Sequence, residues 1–194
     1  KKKFYYRQAI KLLIFLSKIK QPIFLQNYNL GILKDELKLY IKWELKINKN
    51  KKALKDWNKI WDNLLNNVEC KKRSIVLRDF HVDNIFFLKN RNKLEKIGLI
   101  DFQDSLIGHP AYDLVSLLQD VRVFLSIEDQ KGFYNYYKKY TKINNNDFKY
   151  AYLVLGTQRL FKIIGIFKKL ALKEGKSDYL KYLPRTKNLI KYNL

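Results

Sequence analysis

The sequence predicts an α+β fold that is mostly helical, formed by a single domain over residues 1–194 with a small β insert. Apolar residues recur with the helical period through 1–73 and again through 102–194. The stretch 74–101 instead contains short runs rich in Ile, Val, Leu and Phe. A length of 194 residues suits one large domain, and no linker divides it.

The first region predicts three amphipathic helices, because its apolar residues are spaced by three and four positions. Pro22 is expected to end the first helix, since proline cannot continue one. The third helix has the clearest pattern, with tryptophans at core positions. The predicted ranges are Lys1–Lys20, Leu30–Ile47 and Lys51–Val68.

The middle region changes rhythm and predicts three short strands. The polar stretch Lys89–Lys93 has the composition of a hairpin turn between the last two. We expect the strands to form one patch, with the ranges Ser74–Arg78, Asn84–Lys89 and Glu95–Asp101.

The last region is helical again. Ser126 is placed to cap a helix with Asp129 in the capping-box position, and Gly175 is placed to close a longer one. Pro184 is expected to break or kink the final segment, which follows Ser177. The other predicted helices are Ala111–Phe124 and Asp147–Lys173.

The composition excludes several classes of protein. The single cysteine, Cys70, cannot form an internal disulfide, and the longest apolar run near the start, Leu12–Leu16, is far shorter than the ~20 residues of a membrane span. The net charge is +22, but 33 of the 40 basic residues are Lys and only 7 are Arg, which nucleic-acid readers prefer. We predict a cytoplasmic protein whose charge attracts anionic substrates, with neither a nucleic acid nor a membrane as partner.

The candidate chemistry lies in two phrases that follow predicted strands. They are Leu77-Arg-Asp-Phe-His-Val-Asp-Asn84 and Leu99-Ile-Asp-Phe-Gln-Asp104. We expect Asp79, Asn84 and Asp101 to lie at adjacent strand ends with their oxygens aimed at one point. Hard oxygen ligands suit Mg²⁺, and a carboxylate left free beside the metal can accept a proton from an attacking hydroxyl.

These phrases resemble the aminoglycoside/choline phosphotransferase family, a branch of the protein-kinase-like fold. The match also includes the phrase Gly108-His-Pro-Ala-Tyr-Asp-Leu114. The resemblance implies that Asp79 is the catalytic base and that Asn84 and Asp101 hold Mg²⁺. It further implies three supports of the catalytic loop, namely Arg78, which stands where the branch often has Gly, together with His81 and Asp113. Other candidate contacts to the substrate or to the loop are Asp83, Gln103 and Asp104.

The longer phrase from Asp101 to Asp120 resembles one sub-branch most, the bacterial N-acetylmuramate/N-acetylglucosamine anomeric kinases of cell-wall recycling. The resemblance implies ATP and Mg²⁺ as cofactors and a small-molecule amino sugar, phosphorylated at a hydroxyl, as substrate. It also implies the C-terminal lobe of a protein-kinase-like fold, with the small β insert carrying the catalytic loop.

A kinase of this type also needs an N-terminal nucleotide-binding lobe, with a glycine-containing loop over the phosphates and a strand Lys. Only Gly31 precedes Gly98 here, and the sequence contains no Met. We therefore expect a C-terminal lobe without its N-terminal lobe, and an isolated chain that transfers phosphate poorly.

Two other functions stay open. A basic nucleic-acid-binding module would show an affinity that falls steeply with salt. A metal-dependent phosphoesterase would use as its ligands Asp79, His81, Asp83, Asp101 and His109. The kinase interpretation accounts for the order and spacing of the phrases, whereas the alternatives account only for their composition.

Overall fold

The computed structural model describes residues 2–68, 72–141, 143 and 145–194, so Cys70 lies outside the described residues. Most of the described chain is helical, as the sequence predicts. The described α-helices are α1 (Lys2–Leu16), α2 (Leu30–Tyr40), α3 (Lys51–Asn66), α4 (Ala111–Leu118), α5 (Ile127–Thr141), α6 (Asn145–Glu174) and α7 (Leu183–Asn193). The described strands are β1 (Ser74–Val76), β2 (Ile85–Phe87), β3 (Ile97–Leu99) and β4 (Leu106–Gly108).

Polar side chains begin several helices. Asn29 and Asn50 each accept, through Oδ1, a hydrogen bond of 3.0 Å from a backbone N–H of the first turn. The predicted cap of α5 is confirmed, because Ser126 Oγ accepts from the Asp129 N–H at 3.1 Å. The predicted close of α6 is also confirmed, because Gly175 follows it at a φ of 70°, which glycine adopts without steric cost.

The prediction for the second helix is wrong in part. The helix predicted over Leu30–Ile47 is an α-helix only to Tyr40 and then continues as the π-helical turn Ile41–Leu45. The predicted break at Pro184 is confirmed, because the segment runs as a 3-10 helix over Ser177–Tyr182 and as α7 from Leu183, with Pro184 in the first turn of α7. A first-turn N–H has no partner within the helix, so proline loses nothing there.

The prediction for α4 is wrong at its C-terminal end, which is Leu118 and not Phe124. Beyond that point the Asp120 carboxylate accepts a hydrogen bond of 3.0 Å from the Arg122 N–H. This local side-chain bond competes with continuation of the helix. Every residue of α4 is buried, so other parts of the protein cover the helix on all sides.

The strands form two separate two-stranded sheets, so the prediction of one three-stranded patch is wrong. The predicted hairpin is confirmed, because β2 and β3 pair antiparallel with Ile85 opposite Leu99. β1 pairs with β4, a strand that the sequence did not predict, and Ser74 lies opposite Gly108. An aspartate-rich turn between β3 and β4 therefore leads from one sheet to the other.

By its contacts the chain divides into two compact units, one of Lys1–Tyr28 with Cys70–Tyr152 and one of Asn29–Glu69 with Leu153–Leu194. The first unit contains all four strands together with α1, α4 and α5. Its buried apolar side chains include Ile10, Leu13, Val76, Phe80, Leu114, Leu118 and Phe148.

The second unit is held by α2, α3, α7 and the later part of α6. Its polar interior is an ion pair between Glu36 and Lys162 at 2.9 Å, and Gln158 donates to the same carboxylate at 3.0 Å. Its helices approach closely at Gly165, where a Cβ atom would lie 2.5 Å from the backbone of Leu39. In the part of the chain that the structure describes, none of the helices combines the length and hydropathy of a bilayer-spanning segment.

Candidate functional site

The segment between β1 and β2, which we call the Asp79 loop (residues 77–84), is held by a buried carboxylate. Asp113 on α4 is 2% exposed, and its oxygens accept hydrogen bonds from the backbone N–H groups of Leu77 at 2.6 Å and of Arg78 at 3.1 Å. These two hydrogen bonds fix the start of the loop to the most buried helix of the first unit. The Asp113 carboxylate also affects Tyr137, because burial raises the pKa of the Tyr137 phenol and the Asp113 charge adds to that rise.

Arg78, the residue before Asp79, has a left-handed backbone with a φ of 68°. This conformation is costly for a side chain with a Cβ atom and free for glycine, which accounts physically for the glycine frequent at this place in the branch that the sequence resembles. The Arg78 guanidinium lies over the Tyr28 ring at 5.7 Å, and its Nη1 lies 3.5 Å from the carbonyl oxygen of Asp104. These contacts offset part of the backbone strain.

Hydrogen bonds join Asp79 to Asn84 and Asn84 to Ile100, the residue before Asp101. Asn84 Nδ2 donates to the Asp79 carbonyl oxygen at 3.0 Å. The Asn84 carbonyl oxygen accepts from the Ile100 N–H at 3.2 Å, at the end of the β2–β3 hairpin. Asp101 follows directly, with a φ of 55° that is also left-handed. The meeting of their side-chain oxygens at one cation stays a prediction.

The oxygens of these three side chains are available to a ligand. Asp79 and Asp101 are exposed, and within the described residues neither carboxylate makes a hydrogen bond or an ion pair. The described hydrogen bonds of the Asn84 side chain use only its Nδ2, which leaves Oδ1 without a protein partner. A carboxylate and an amide oxygen are hard donors, so Asn84 and Asp101 fit a cation such as Mg²⁺.

The other predicted residues have mixed surroundings. His81 is buried, and its Nε2 lies 3.5 Å from Asn84 Nδ2 within the Asp79 loop. The Asp83 carboxylate forms an ion pair with Arg122. Gln103 and Asp104 are exposed in the turn after β3.

His109, a ligand in the phosphoesterase alternative, accepts through Nδ1 a hydrogen bond of 3.1 Å from the Ala111 N–H at the start of α4. Among the described residues, no group of three or more His, Cys, Asp or Glu side chains could hold a metal ion. The phosphoesterase alternative, which needs five such ligands together, gains no support from this arrangement.

Two residues near the Asp79 loop were missed by the sequence analysis. Asp120 is 1% exposed and accepts from the Val82 N–H at 3.1 Å, and Arg122 connects it to Asp83. The sequence carries no usable signal for them, because both residues fall inside the helix predicted over Ala111–Phe124, whereas α4 ends at Leu118.

An apolar groove of about 440 Å³ lies next to the Asp79 loop. It is lined on one side by α1, through Tyr5 and Tyr6, and on the other by the β2–β3 hairpin, through Ile85, Phe87 and Ile97. The groove thus borders the hairpin whose end leads into Asp101.

Comparison with known proteins identifies relatives over most of the chain. The model of the phosphotransferase enzyme family matches residues 4–151. The N-acetylmuramate/N-acetylglucosamine kinase of Caulobacter vibrioides is 30% identical over 165 residues, 83% of this chain and 46% of that protein. The kinase of the same name from Pseudomonas aeruginosa is 30% identical over 193 residues, 93% of this chain and 55% of that protein. The chain therefore spans about half the length of these relatives.

Solved structures agree in fold. A protein of Ralstonia eutropha assigned to the aminoglycoside phosphotransferases superposes with a TM-score of 0.65 over 98% of this chain and 64% of its own, at 15% identity. A spectinomycin phosphotransferase, solved with ADP and spectinomycin, superposes with a TM-score of 0.56 at 14% identity, over 97% of this chain and 64% of its own. The family match covers more than half of the chain, and with it the Asp79 loop and Asp101. The chain belongs to the phosphotransferase enzyme family.

Proposed function

We propose that this chain is the C-terminal lobe of a kinase-like, ATP-dependent phosphotransferase that phosphorylates a hydroxyl of a small amino sugar. The observation that carries the proposal is the Asp79 loop, in which the free Asp79 carboxylate is tied through Asn84 to the end of the hairpin that leads into Asp101. The names of the relatives support N-acetylmuramate or N-acetylglucosamine as first choices of acceptor.

In this function Asp79 accepts the proton of the acceptor hydroxyl while the hydroxyl oxygen attacks the γ-phosphorus of ATP. The new bond joins that oxygen to phosphorus, and the bond from the γ-phosphorus to the bridging oxygen breaks to leave ADP. Asn84 and Asp101 would hold Mg²⁺, which supplies charge neutralisation at the phosphates when bound. Gln103 and Asp104, both exposed, would reach the acceptor or the loop.

The same proposal includes an N-terminal lobe that binds the nucleotide. Phe86 and Ile100 of the hairpin are each 48% exposed, and Phe102 is 57% exposed, so apolar surface surrounds the free carboxylates. An additional lobe would cover such surface and would supply the loop and the Lys that hold the phosphates. Without that lobe, the isolated chain is expected to transfer phosphate poorly. We also propose a cytoplasmic role in cell-wall recycling.

The metal site can be tested on the chain itself, with Mn²⁺ as a paramagnetic substitute for Mg²⁺. We expect Mn²⁺ to broaden the backbone amide NMR signals of Asn84 and Asp101 before all others. The variant Asp101→Asn should weaken Mn²⁺ binding by roughly tenfold or more, since even indirect ligand supports cost that much. Asp129→Asn, which removes a carboxylate charge from α5, is the matched control and should bind as the wild type does. Broadening spread over exposed carboxylates of the whole chain would contradict a site at Asn84 and Asp101.

Catalysis needs the chain joined to its N-terminal lobe, with ATP consumption measured against amino sugars, choline and aminoglycosides. We expect turnover with an amino sugar. The variant Asp79→Asn keeps the shape and removes the proton acceptor, so it should lower turnover by roughly 10²–10⁴. Turnover that survives this substitution would refute Asp79 as the base, and substantial activity of the isolated chain would refute the need for the second lobe.

A further inference from the structure

The Asp79 loop is held at two points, by Asp113 in α4 and by Asp120 just after it, and the family resemblance assigns a role only to Asp113. Asp113, in the first turn of α4, accepts from Leu77 and Arg78 at the start of the loop. Asp120, just beyond the other end of α4, accepts from the Val82 N–H near the end of the loop at 3.1 Å. Asp79 therefore lies between two backbone anchors, one in the first turn of the buried helix α4 and one two residues beyond its C-terminal end.

The second anchor is extended by an arginine. The other oxygen of Asp120 accepts from the Arg122 backbone N–H at 3.0 Å and lies 3.3 Å from Arg122 Nη1. Nε of the same guanidinium pairs with the Asp83 carboxylate at 2.8 Å. Two consecutive loop residues are therefore held: Asp120 binds the backbone of Val82, and Arg122 binds the side chain of Asp83.

Burial makes the first of these two contacts the stronger one. Asp120 is 1% exposed and the Val82 N–H that it binds is half-buried, so water can replace only part of a lost acceptor. Arg122 is 22% exposed and Asp83 is 61% exposed at the side chain, so the ion pair between them is partly solvated. The arginine contributes mainly by fixing geometry, since it binds both carboxylates through different nitrogens.

The held residues lead directly into Asn84. Val82, Asp83 and Asn84 form one 3-10 turn, and the Asn84 N–H donates to the His81 carbonyl oxygen at 3.0 Å. A shift of Val82 or Asp83 would rotate this short turn and move the Asn84 amide oxygen. We propose that Asp120 and Arg122 are positioning residues that hold the Val82–Asn84 turn and so set the Asn84 oxygen for a divalent cation.

This inference rests on the proposed function for the cation, but the anchor itself can be tested without it. In the variant Asp120→Asn, we expect amide hydrogen exchange at Val82 to accelerate by roughly tenfold or more, because its N–H loses a charged acceptor. Exchange at Leu77 and Arg78, which Asp113 holds, is the internal control and should stay within about twofold of the wild type. Equal acceleration at both ends of the loop, or none at Val82, would overturn the inference.

A second variant covers the case in which Asp120→Asn does not fold. Arg122→Gln keeps the backbone N–H that donates a hydrogen bond to Asp120 and removes only the partly exposed guanidinium. We expect it to weaken Mn²⁺ binding by roughly 10- to 100-fold, as loss of an indirect ligand support does elsewhere. Asp129→Asn again serves as the charge control and should bind Mn²⁺ as the wild type does.

The outcomes separate the two claims. If the wild type binds Mn²⁺ at Asn84 and Asp101 while Arg122→Gln binds it equally well, the positioning role is overturned and the proposed function stands. If the wild type does not bind Mn²⁺ there, the proposed function fails. Exchange at Val82 in Asp120→Asn, compared with the wild type, then decides whether the second anchor exists.

Discussion

Replacing Asp113 with alanine removes the carboxylate that accepts from the backbone N–H groups of Leu77 and Arg78. A buried donor left without an acceptor costs about 1–3 kcal/mol. Leu77 is buried, so the cost for its N–H should lie near the upper end of that range. Arg78 is half-buried, so water can replace part of the lost bond. Together the two donors predict a loss of about 2–4 kcal/mol in the free energy of unfolding.

The assay is urea unfolding followed by circular dichroism. For a dependence of about 2 kcal/mol per molar urea, the predicted loss lowers the unfolding midpoint by about 1–2 M. The slope of the transition should stay the same, since the substitution changes the stability of the folded state and hardly the surface exposed on unfolding.

Asp104→Ala provides the matched control, because Asp104 is an exposed carboxylate of the same unit whose side chain makes no hydrogen bond in the described structure. Its free energy of unfolding should lie within about 0.5 kcal/mol of that of the wild type. If Asp113→Ala unfolded at the same urea concentration as this control, the reasoning that α4 supports the Asp79 loop through buried hydrogen bonds would be refuted.

Two further predictions concern packing and ionisation. Gly165→Ala places a Cβ 2.5 Å from the backbone of Leu39 and should destabilise by about 1–3 kcal/mol, whereas Gly132→Ala, with open space around it in α5, should stabilise by about 0.5–1 kcal/mol, both measured by urea unfolding. Burial raises the pKa of Tyr134 to about 12, and its hydroxyl has no partner in the described structure. Above pH ~10 the unfolded chain ionises first, so wild-type stability should fall towards pH 12 more steeply than that of Tyr134→Phe, and parallel curves would contradict the buried hydroxyl.

Local patterns in the sequence determined the features that depend on neighbouring residues. The hairpin around Lys89–Lys93, the cap at Ser126 and the close of α6 at Gly175 follow from turn chemistry, capping and left-handed backbone preference. The phrases around Asp79 and Asp101 indicated the family for a related reason, because the spacing of polar residues after short strands is itself local.

The pairing of β1 was decided only by the tertiary structure. β1 pairs with β4, which lies beyond Asp101 in the chain, and strands of three residues carry too little pattern to choose between partners. The positive φ of Arg78 and Asp101 likewise depends on contacts with Asp113, Tyr28 and the hairpin end. No residue in the chain next to either position requires that conformation.

The second anchor of the Asp79 loop was also decided by the tertiary structure and not by the local sequence. The sequence predicts a helix through Asp120 and Arg122, and the periodicity there is compatible with one. The helix ends earlier because the Asp120 carboxylate binds the N–H of Val82, a residue far away in the chain, as well as that of Arg122. Helical periodicity predicts which residues are buried. It does not predict the partner of a buried carboxylate, because that partner depends on which loop the fold places next to it.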